Sequence, residues 1–187
     1  MKQQAVVNYS RGSIILHWLI AVIVMIMLSG SYFLDDLPEQ YIGTAFLIHK
    51  SVGITVFFLM GLRVLWLWMY GKPKLPQTMS MWQKALAHTV QYAMVIGLFL
   101  MPLCGWIMSV AANKIPSYFG LFSLPLPWIE PSKALASFMK ESHNTIAWIL
   151  IVLIIVHIIG ALKHHYIDKD TIFRRMVSSK RLGRQMI

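Results

Sequence analysis

The sequence predicts an all-α protein, a four-helix transmembrane bundle with both termini in the cytoplasm. Of the 187 residues, 57% are hydrophobic and only 13% are charged, which is too apolar for a soluble domain of this length. Lipid offers the backbone no hydrogen-bond partners, so apolar runs of about 20 residues are expected to form spanning helices. Four such runs cover roughly residues 14–34, 44–70, 81–112 and 144–166.

The distribution of basic residues predicts the orientation. With the N-terminus inside, thirteen of the 17 lysines and arginines fall on cytoplasmic segments, which agrees with the positive-inside rule. The net charge of +10 therefore reflects the orientation of the helices in the membrane. A nucleic-acid partner would require a basic face on a soluble domain, and the sequence does not indicate one. Residues 1–176 are expected to form one domain, and residues 177–187 a basic cytoplasmic tail that meets lipid headgroups. The other four basic residues are Lys50, Lys114, Lys133 and Lys140.

The first helix and the connections between the helices can be predicted from local sequence features. The first run follows basic residues but lacks a clear small-x-small cleavage site, so we expect a retained helix rather than a signal peptide. Short connections make the first three helices antiparallel neighbours, and Pro102 predicts a kink in the third. The third connection, from Asn113 to about Lys140, is rich in proline and aromatic residues and is expected to lie over the outer mouth. The single Cys104 leaves no disulfide or cysteine-ligated cluster, and no C-x-x-C-H occurs for covalent haem attachment.

Two histidines lie at one depth near the cytoplasm. His17 follows Arg11 by six residues and His157 precedes Lys163 by six, so each is about 9 Å inward from a basic residue. These positions predict one histidine pair, contributed by the first and fourth helices.

Two further histidines lie near the outer surface. His49 precedes Lys50 directly, and His143 follows Lys140 by three residues. The 14 residues from His143 to His157 rise about 21 Å and return to within about 40° of the starting face. One helix can therefore present two imidazoles to the bundle interior, each facing a histidine on another helix.

Paired imidazoles at two levels are typical of haem b, because each iron takes two axial ligands and the macrocycle suits an apolar interior. Zinc would require three or four ligands at one point. Gly53 and Gly160, each one turn from a predicted ligand, leave room for a flat ring, although small residues also serve helix packing. A haem-free transporter with a histidine proton relay is the alternative from a different class.

Three segments carry a family resemblance: "SIILHWLI", "LIHKSVGITVFFLMGLRVLWL" and "ESHNTIAWILIVLIIVHIIGALKHHYIDKDTIFRRM". They resemble the bacterial cytochrome b-561 family, which includes a superoxide oxidase that passes electrons to ubiquinone. The resemblance extends from about Tyr9 to Met176. It implies two b haems, with His17 and His157 on the cytoplasmic-side haem and His49 and His143 on the periplasmic-side haem.

The sequence therefore predicts a di-haem electron carrier of the inner membrane, working between an outer donor and a quinone. The resemblance implies superoxide as the donor and ubiquinone or another quinone as the acceptor, and the alternative is a cytochrome subunit that relays electrons from a partner dehydrogenase or hydrogenase. Near the inner surface, quinone ligands are expected among four side chains, of which His164 is preferred over His165 because it lies about 20° from His157 on the same face. The quinone candidates are His164, Lys163, His88 and Arg63, and the candidates for steering an anionic donor are Lys50, Lys114 and Lys140.

Overall fold

The computed structural model describes residues 8–34 and 36–177. Its main elements are four long helices, α1 (Arg11–Gly30), α2 (Glu39–Tyr70), α3 (Met81–Ala111) and α4 (Lys133–Tyr166). All four are long and apolar enough to span a membrane, which confirms the predicted helical transmembrane fold, while the cytoplasmic position of both termini stays a prediction. The smaller elements are two helical turns, Ser31–Phe33 and Arg174–Met176, and a hairpin of strands β1 (Ser117–Tyr118) and β2 (Phe122–Ser123). The predicted basic tail lies outside the described residues except for Val177.

The start of α4 differs from the sequence prediction. The third connection ends at Ser132 and not near Lys140, because α4 begins eleven residues before the predicted Asn144. The Ser132 hydroxyl accepts a hydrogen bond from the Leu135 backbone N–H at 3.3 Å and caps the helix. With 34 residues, α4 is about 51 Å long, well beyond the roughly 30 Å of hydrocarbon. The helix is therefore longer than a perpendicular span requires, and the charged residues in its first turns hid those turns from an apolar-run criterion.

The core lies at mid-membrane, where α1, α2, α3 and α4 all contribute apolar side chains. Leu150 of α4 is completely buried, and it packs so closely on α3 that a Cβ added to Gly97 would lie 2.8 Å from its Cδ2. Small residues allow this approach between membrane helices. The other buried members of the core are Ile20, Val24, Leu28, Val56, Met60 and Leu98.

The connection between α3 and α4 is fixed to the bundle through α2. Ser51 is fully buried, and its hydroxyl accepts a hydrogen bond from the Phe119 N–H at 2.9 Å and lies 3.2 Å from the Ser117 carbonyl oxygen. The Tyr118 hydroxyl lies 3.1 Å from the hydroxyl of Thr55, one turn further along α2. Phe119 and Gly120 both have positive φ, 49° and 77°, as the tight hairpin turn requires. The connection therefore covers the His49 end of the bundle, as the sequence predicted.

A short segment after α4, residues 167–176, folds back against the opposite end of the bundle; we call it the C-terminal strap. The Trp18 indole N–H donates to the Met176 carbonyl at 2.8 Å. The Arg175 guanidinium donates to the Lys74 carbonyl at 2.8 Å. The strap is thus tied to α1 and to the connection between α2 and α3.

Candidate functional site

The four predicted histidines meet as two pairs. The ring centres of His17 on α1 and His157 on α4 are 6.2 Å apart. The ring centres of His49 on α2 and His143 on α4 are 6.3 Å apart. Helix α4 therefore contributes one imidazole to each pair, and α1 and α2 contribute the partners.

The separation of the rings fits a metal held from opposite sides. Two imidazoles on one metal ion, each with a nitrogen–metal bond of about 2 Å and a ring radius of about 1.1 Å, have centres about 6.2 Å apart. Both observed separations agree with this value. A direct hydrogen bond between two rings, with nitrogens about 2.9 Å apart, would instead bring the centres to about 5.1 Å or less.

The composition of the two sites also favours haem over zinc. Across residues 8–34 and 36–177, three or more histidine, cysteine or acidic ligands converge at one place, formed by His164, Asp168 and Asp170. That place is separate from both histidine pairs. Each pair thus supplies two imidazoles with no third histidine, cysteine or acidic ligand among the described residues, which would suit a haem better than a tetrahedral zinc site.

The ring of His143 is oriented by α3. Its Nδ1 lies 2.8 Å from the Met101 carbonyl oxygen, and a carbonyl only accepts, so Nδ1 carries the proton. The other nitrogen, Nε2, is then left with a lone pair for a metal, as in most histidine–metal sites. Gly105 makes room for the ring, because a Cβ there would lie 3.2 Å from both Cε1 and Nδ1 of His143.

Space and charge near the pairs are compatible with a haem. A Cβ added to Gly53 or Gly160 would meet no neighbouring side chain or helix within 4 Å, so the backbone of α2 and α4 is open beside the predicted ligands. On α2, the partly buried Arg63 donates to the Ser13 carbonyl at 2.9 Å, one turn from His17. No described carboxylate pairs with this guanidinium, and a haem propionate would supply the anion that a half-buried cation needs.

The quinone candidates His164 and Lys163 lie in a compact charged cluster. Nδ1 of His164 is 2.7 Å from Oδ2 of Asp170 and 2.9 Å from Oδ2 of Asp168. The Lys163 ammonium donates to both oxygens of Asp168, at 2.8 and 2.6 Å. These hydrogen bonds from Lys163 lower the pKa of the Asp168 carboxyl below its usual value. Lys163 is therefore committed to an ion pair, and one nitrogen of His164, Nε2, is left for a ligand.

The other two quinone candidates belong to different surroundings. His88 is exposed on α3 and stacks on Tyr92, with ring centres 6.2 Å apart. Lys72 joins that group through the Tyr92 hydroxyl at 3.4 Å. Arg63 is bonded to the backbone of α1 at the level of His17. The four predicted residues are thus divided among three places, of which one contains His164 and Lys163.

At the His49 end, two of the three steering lysines come together. The Lys50 ammonium lies 3.5 Å from the carbonyl oxygen of Lys114, which brings the connection between α3 and α4 next to His49. Lys140 is exposed on α4, one turn before His143. Lysines from three segments therefore surround this end of the bundle.

Several residues of the site were missed by the sequence interpretation. Met101 and Gly105 lie on α3, which carries none of the four paired histidines, and they were found through their contacts with His143. Ser51, two residues after His49, lies in the quoted segment "LIHKSVGITVFFLMGLRVLWL", but its contact with the hairpin was not predicted. Asp170 does lie in the quoted segment "HHYIDKD", so an acidic residue six positions after His164 was an available signal.

Four membrane-spanning helices with histidine pairs at two depths are the architecture of a membrane-bound b-type cytochrome. The model of the prokaryotic cytochrome b561 family matches residues 8–179. The chain is 32% identical over 172 residues to cytochrome b561 homolog 2 of Escherichia coli (strain K12), covering 91% of each chain. It is 29% identical over 175 residues to a probable superoxide oxidase, CybB, of Yersinia pestis, covering 93% of this chain and 98% of that protein.

The chain belongs to the prokaryotic cytochrome b561 family. It is an electron-transfer protein of the bacterial inner membrane with several spanning helices, and its family binds haem b. The similarity to cytochrome b561 homolog 1 of Escherichia coli (strain K12), 28% over 178 residues and 93% of this chain, supports the same assignment.

Proposed function

We propose that this protein oxidises superoxide at the outer face of the inner membrane and reduces a quinone near the cytoplasmic face, with both termini in the cytoplasm. Two b haems would be held per chain, one by His49 and His143 and the other by His17 and His157. Each haem supplies a one-electron carrier at its level of the membrane. Ubiquinone or another membrane quinone is the acceptor.

The observation that carries this proposal is the separation of the two histidine pairs, 6.2 and 6.3 Å between ring centres. Two sites of equal geometry at two depths favour a carrier across the bilayer over a single-haem sensor or store. A chain of histidines that relays protons would instead need hydrogen-bonded contacts between successive groups, and the ring centres within each pair are too far apart for that.

The residues at the His49 end support an anionic donor. Lys50, Lys114 and Lys140 come from α2, the connection and α4, and none is paired with a described carboxylate. Such a cluster attracts a small anion and raises its rate of arrival by about 10-fold or more at low salt. The name of the Yersinia pestis relative agrees with superoxide as that anion.

The test is direct oxidation of superoxide by the purified haem-loaded protein in liposomes that contain a ubiquinone analogue. Superoxide is added from outside, and quinol formation and haem reduction are followed by absorbance. We expect rapid reduction that slows with ionic strength and with Lys→Gln changes at the three positions, since screening and charge removal both weaken steering. Lys133→Gln removes the same charge from the same end of α4, ten residues before His143, and should change the rate much less.

Three outcomes separate the alternatives. A fast reaction that is indifferent to salt and to the three lysines would reject steering but keep the donor. The absence of any superoxide reaction would reject the donor and favour a cytochrome subunit fed by a partner dehydrogenase or hydrogenase. A purified protein without a Soret band would reject haem and select the proton-relay transporter.

A further inference from the structure

The charged cluster at the C-terminal end of α4, formed by Lys163, His164, Asp168 and Asp170, orients the imidazole of His164. The Oδ2 atom of Asp170 faces Nδ1 of His164 at 2.7 Å. The other carboxylate oxygen of Asp170 accepts from the Ile172 N–H at 2.9 Å, and the Asp170 N–H donates to the carbonyl of His164 itself at 3.1 Å. Asp170 is thus held by its backbone N–H and by one carboxylate oxygen, and its other carboxylate oxygen orients the imidazole.

The cluster also carries an unbalanced charge. Lys163 contributes one positive charge, while Asp168 and Asp170 contribute two negative charges, and both carboxylates approach the same nitrogen of His164. A proton on each nitrogen of His164 would neutralise the cluster. Nδ1 is occupied by the aspartates, and Nε2 makes no hydrogen bond within the described part of the chain, so Nε2 is the atom from which that proton can leave.

We propose that Asp170 is a positioning residue that holds His164 as the proton donor to the quinone, a role that rests on the proposed function. Reduction of a quinone adds two electrons and two protons and converts its two carbonyl groups into hydroxyls. Under the proposed function, the two electrons come from two molecules of superoxide. Nε2–H of His164 gives one proton to a carbonyl oxygen and is restored from the aqueous face, and the second carbonyl oxygen takes its proton from water at that face. Asp170 accepts the hydrogen bond from Nδ1–H and keeps the ring aimed, while Lys163 occupies both oxygens of Asp168.

Asp170 also belongs to the C-terminal strap, so its effect on His164 must be separated from a merely structural effect. The strap is also held by Arg175, which donates to the Lys74 carbonyl and to the hydroxyl of Thr171. Arg175→Gln therefore loosens the strap while leaving both partners of the bond between Asp170 and His164 in place. Asp36→Asn, at an exposed position at the other end of the bundle, controls for the loss of one negative charge.

The experiment compares Asp170→Asn with the wild-type protein, both loaded with haem. We expect kcat for quinone reduction to fall about 10- to 100-fold with a much smaller change in KM, because orientation and proton supply act on the chemical step. We also expect a larger solvent isotope effect, while haem content and the reduced spectrum stay unchanged. Both control variants should keep kcat near the wild-type value.

A second measurement reports on His164 without turnover. In ¹⁵N-histidine NMR spectra of the reduced protein, with the resonance assigned by loss in His164→Gln, Nδ1 should appear protonated and strongly hydrogen-bonded. Asp170→Asn should shift that resonance and Arg175→Gln should not. A wild-type kcat and isotope effect in Asp170→Asn, or an equal loss in Arg175→Gln, would overturn the positioning role. A wild-type protein that leaves quinone oxidised would overturn the proposed function, and the proton-donor role with it.

Discussion

Adding a single methyl group at Gly105 should selectively impair one haem site. An alanine Cβ at this position of α3 would lie 3.2 Å from Cε1 and Nδ1 of His143. Because ordinary contacts between carbon atoms are about 3.5–4.0 Å, the ring must move by roughly 0.3 Å or more. Overpacking of this kind costs about 1–3 kcal/mol.

The same movement weakens the orientation of the ring. His143 donates to the Met101 carbonyl at 2.8 Å, from the helix that would now push it away. Loss of a partner that orients a metal-binding histidine typically lowers metal affinity about 10- to 100-fold. In Gly105→Ala we therefore expect the haem bound by His49 and His143 to be retained at least about 10-fold more weakly, while the haem at His17 and His157 is unaffected.

The assay is haem quantification per chain during purification and dilution, together with reduced-minus-oxidised spectra. The second haem serves as an internal standard, since unfolding would release both. Gly43→Ala on α2 is the matched control, because a Cβ there meets no atom within 4 Å. If Gly105→Ala keeps both haems with an unchanged spectrum and affinity, or loses both equally, then the packing of His143 against α3 does not control retention of one haem.

Three further predictions concern other parts of the molecule. Ser51→Ala should destabilise the fold by about 0.5–1.5 kcal/mol, since the Phe119 N–H loses its acceptor, and should raise hydrogen exchange in the hairpin; unchanged exchange would show that the hydrogen bond between Ser51 and the hairpin is unimportant. Arg63→Met should lower retention of the haem at the His17 level by removing the partner proposed for a propionate, and equal retention of both haems would reject that partner. The pKa of Asp168 is lowered in the folded state by Lys163, so this pair contributes stability above the unfolded pKa of Asp168, and that stability is lost as the pH falls through the lower folded pKa. Because the pair is exposed, a thermal-unfolding comparison with Asp168→Asn should show only a small difference at neutral pH that vanishes in acid, and a difference that grows in acid would contradict the sign.

The depth of each histidine was predictable from the sequence, because helix rise is constant and basic residues mark the ends of the spans. His17 and His157 were placed together by counting from Arg11 and Lys163, and the structure brings their rings within 6.2 Å. The apolar runs located all four helices, but they failed at the start of α4, where residues 133–143 are helical and mix apolar with charged side chains. Hydropathy reports contact with lipid, so it cannot detect a helix that continues into water.

Contacts between distant segments were beyond the reach of sequence periodicity. The hydrogen bond between His143 and Met101 joins residues 42 positions apart. The hydrogen bonds between Ser51 and the hairpin join residues 66 and 68 positions apart. Hydroxyl and carbonyl groups of this kind have no characteristic spacing in the chain. The division of the quinone candidates had a similar cause, since His88, Arg63 and His164 lie on three helices whose rotation about their axes is set by packing.

The central claim is that two haems are held by two specific pairs of histidines. Haem content and reduced-minus-oxidised spectra of the purified protein and of four single variants, His17→Ala, His49→Ala, His143→Ala and His157→Ala, test it most directly. The wild-type protein should contain two b haems per chain, with the same haem lost in His49→Ala and His143→Ala and the other lost in His17→Ala and His157→Ala. A wild-type protein without haem, or variants that all keep both haems, would contradict the assignment.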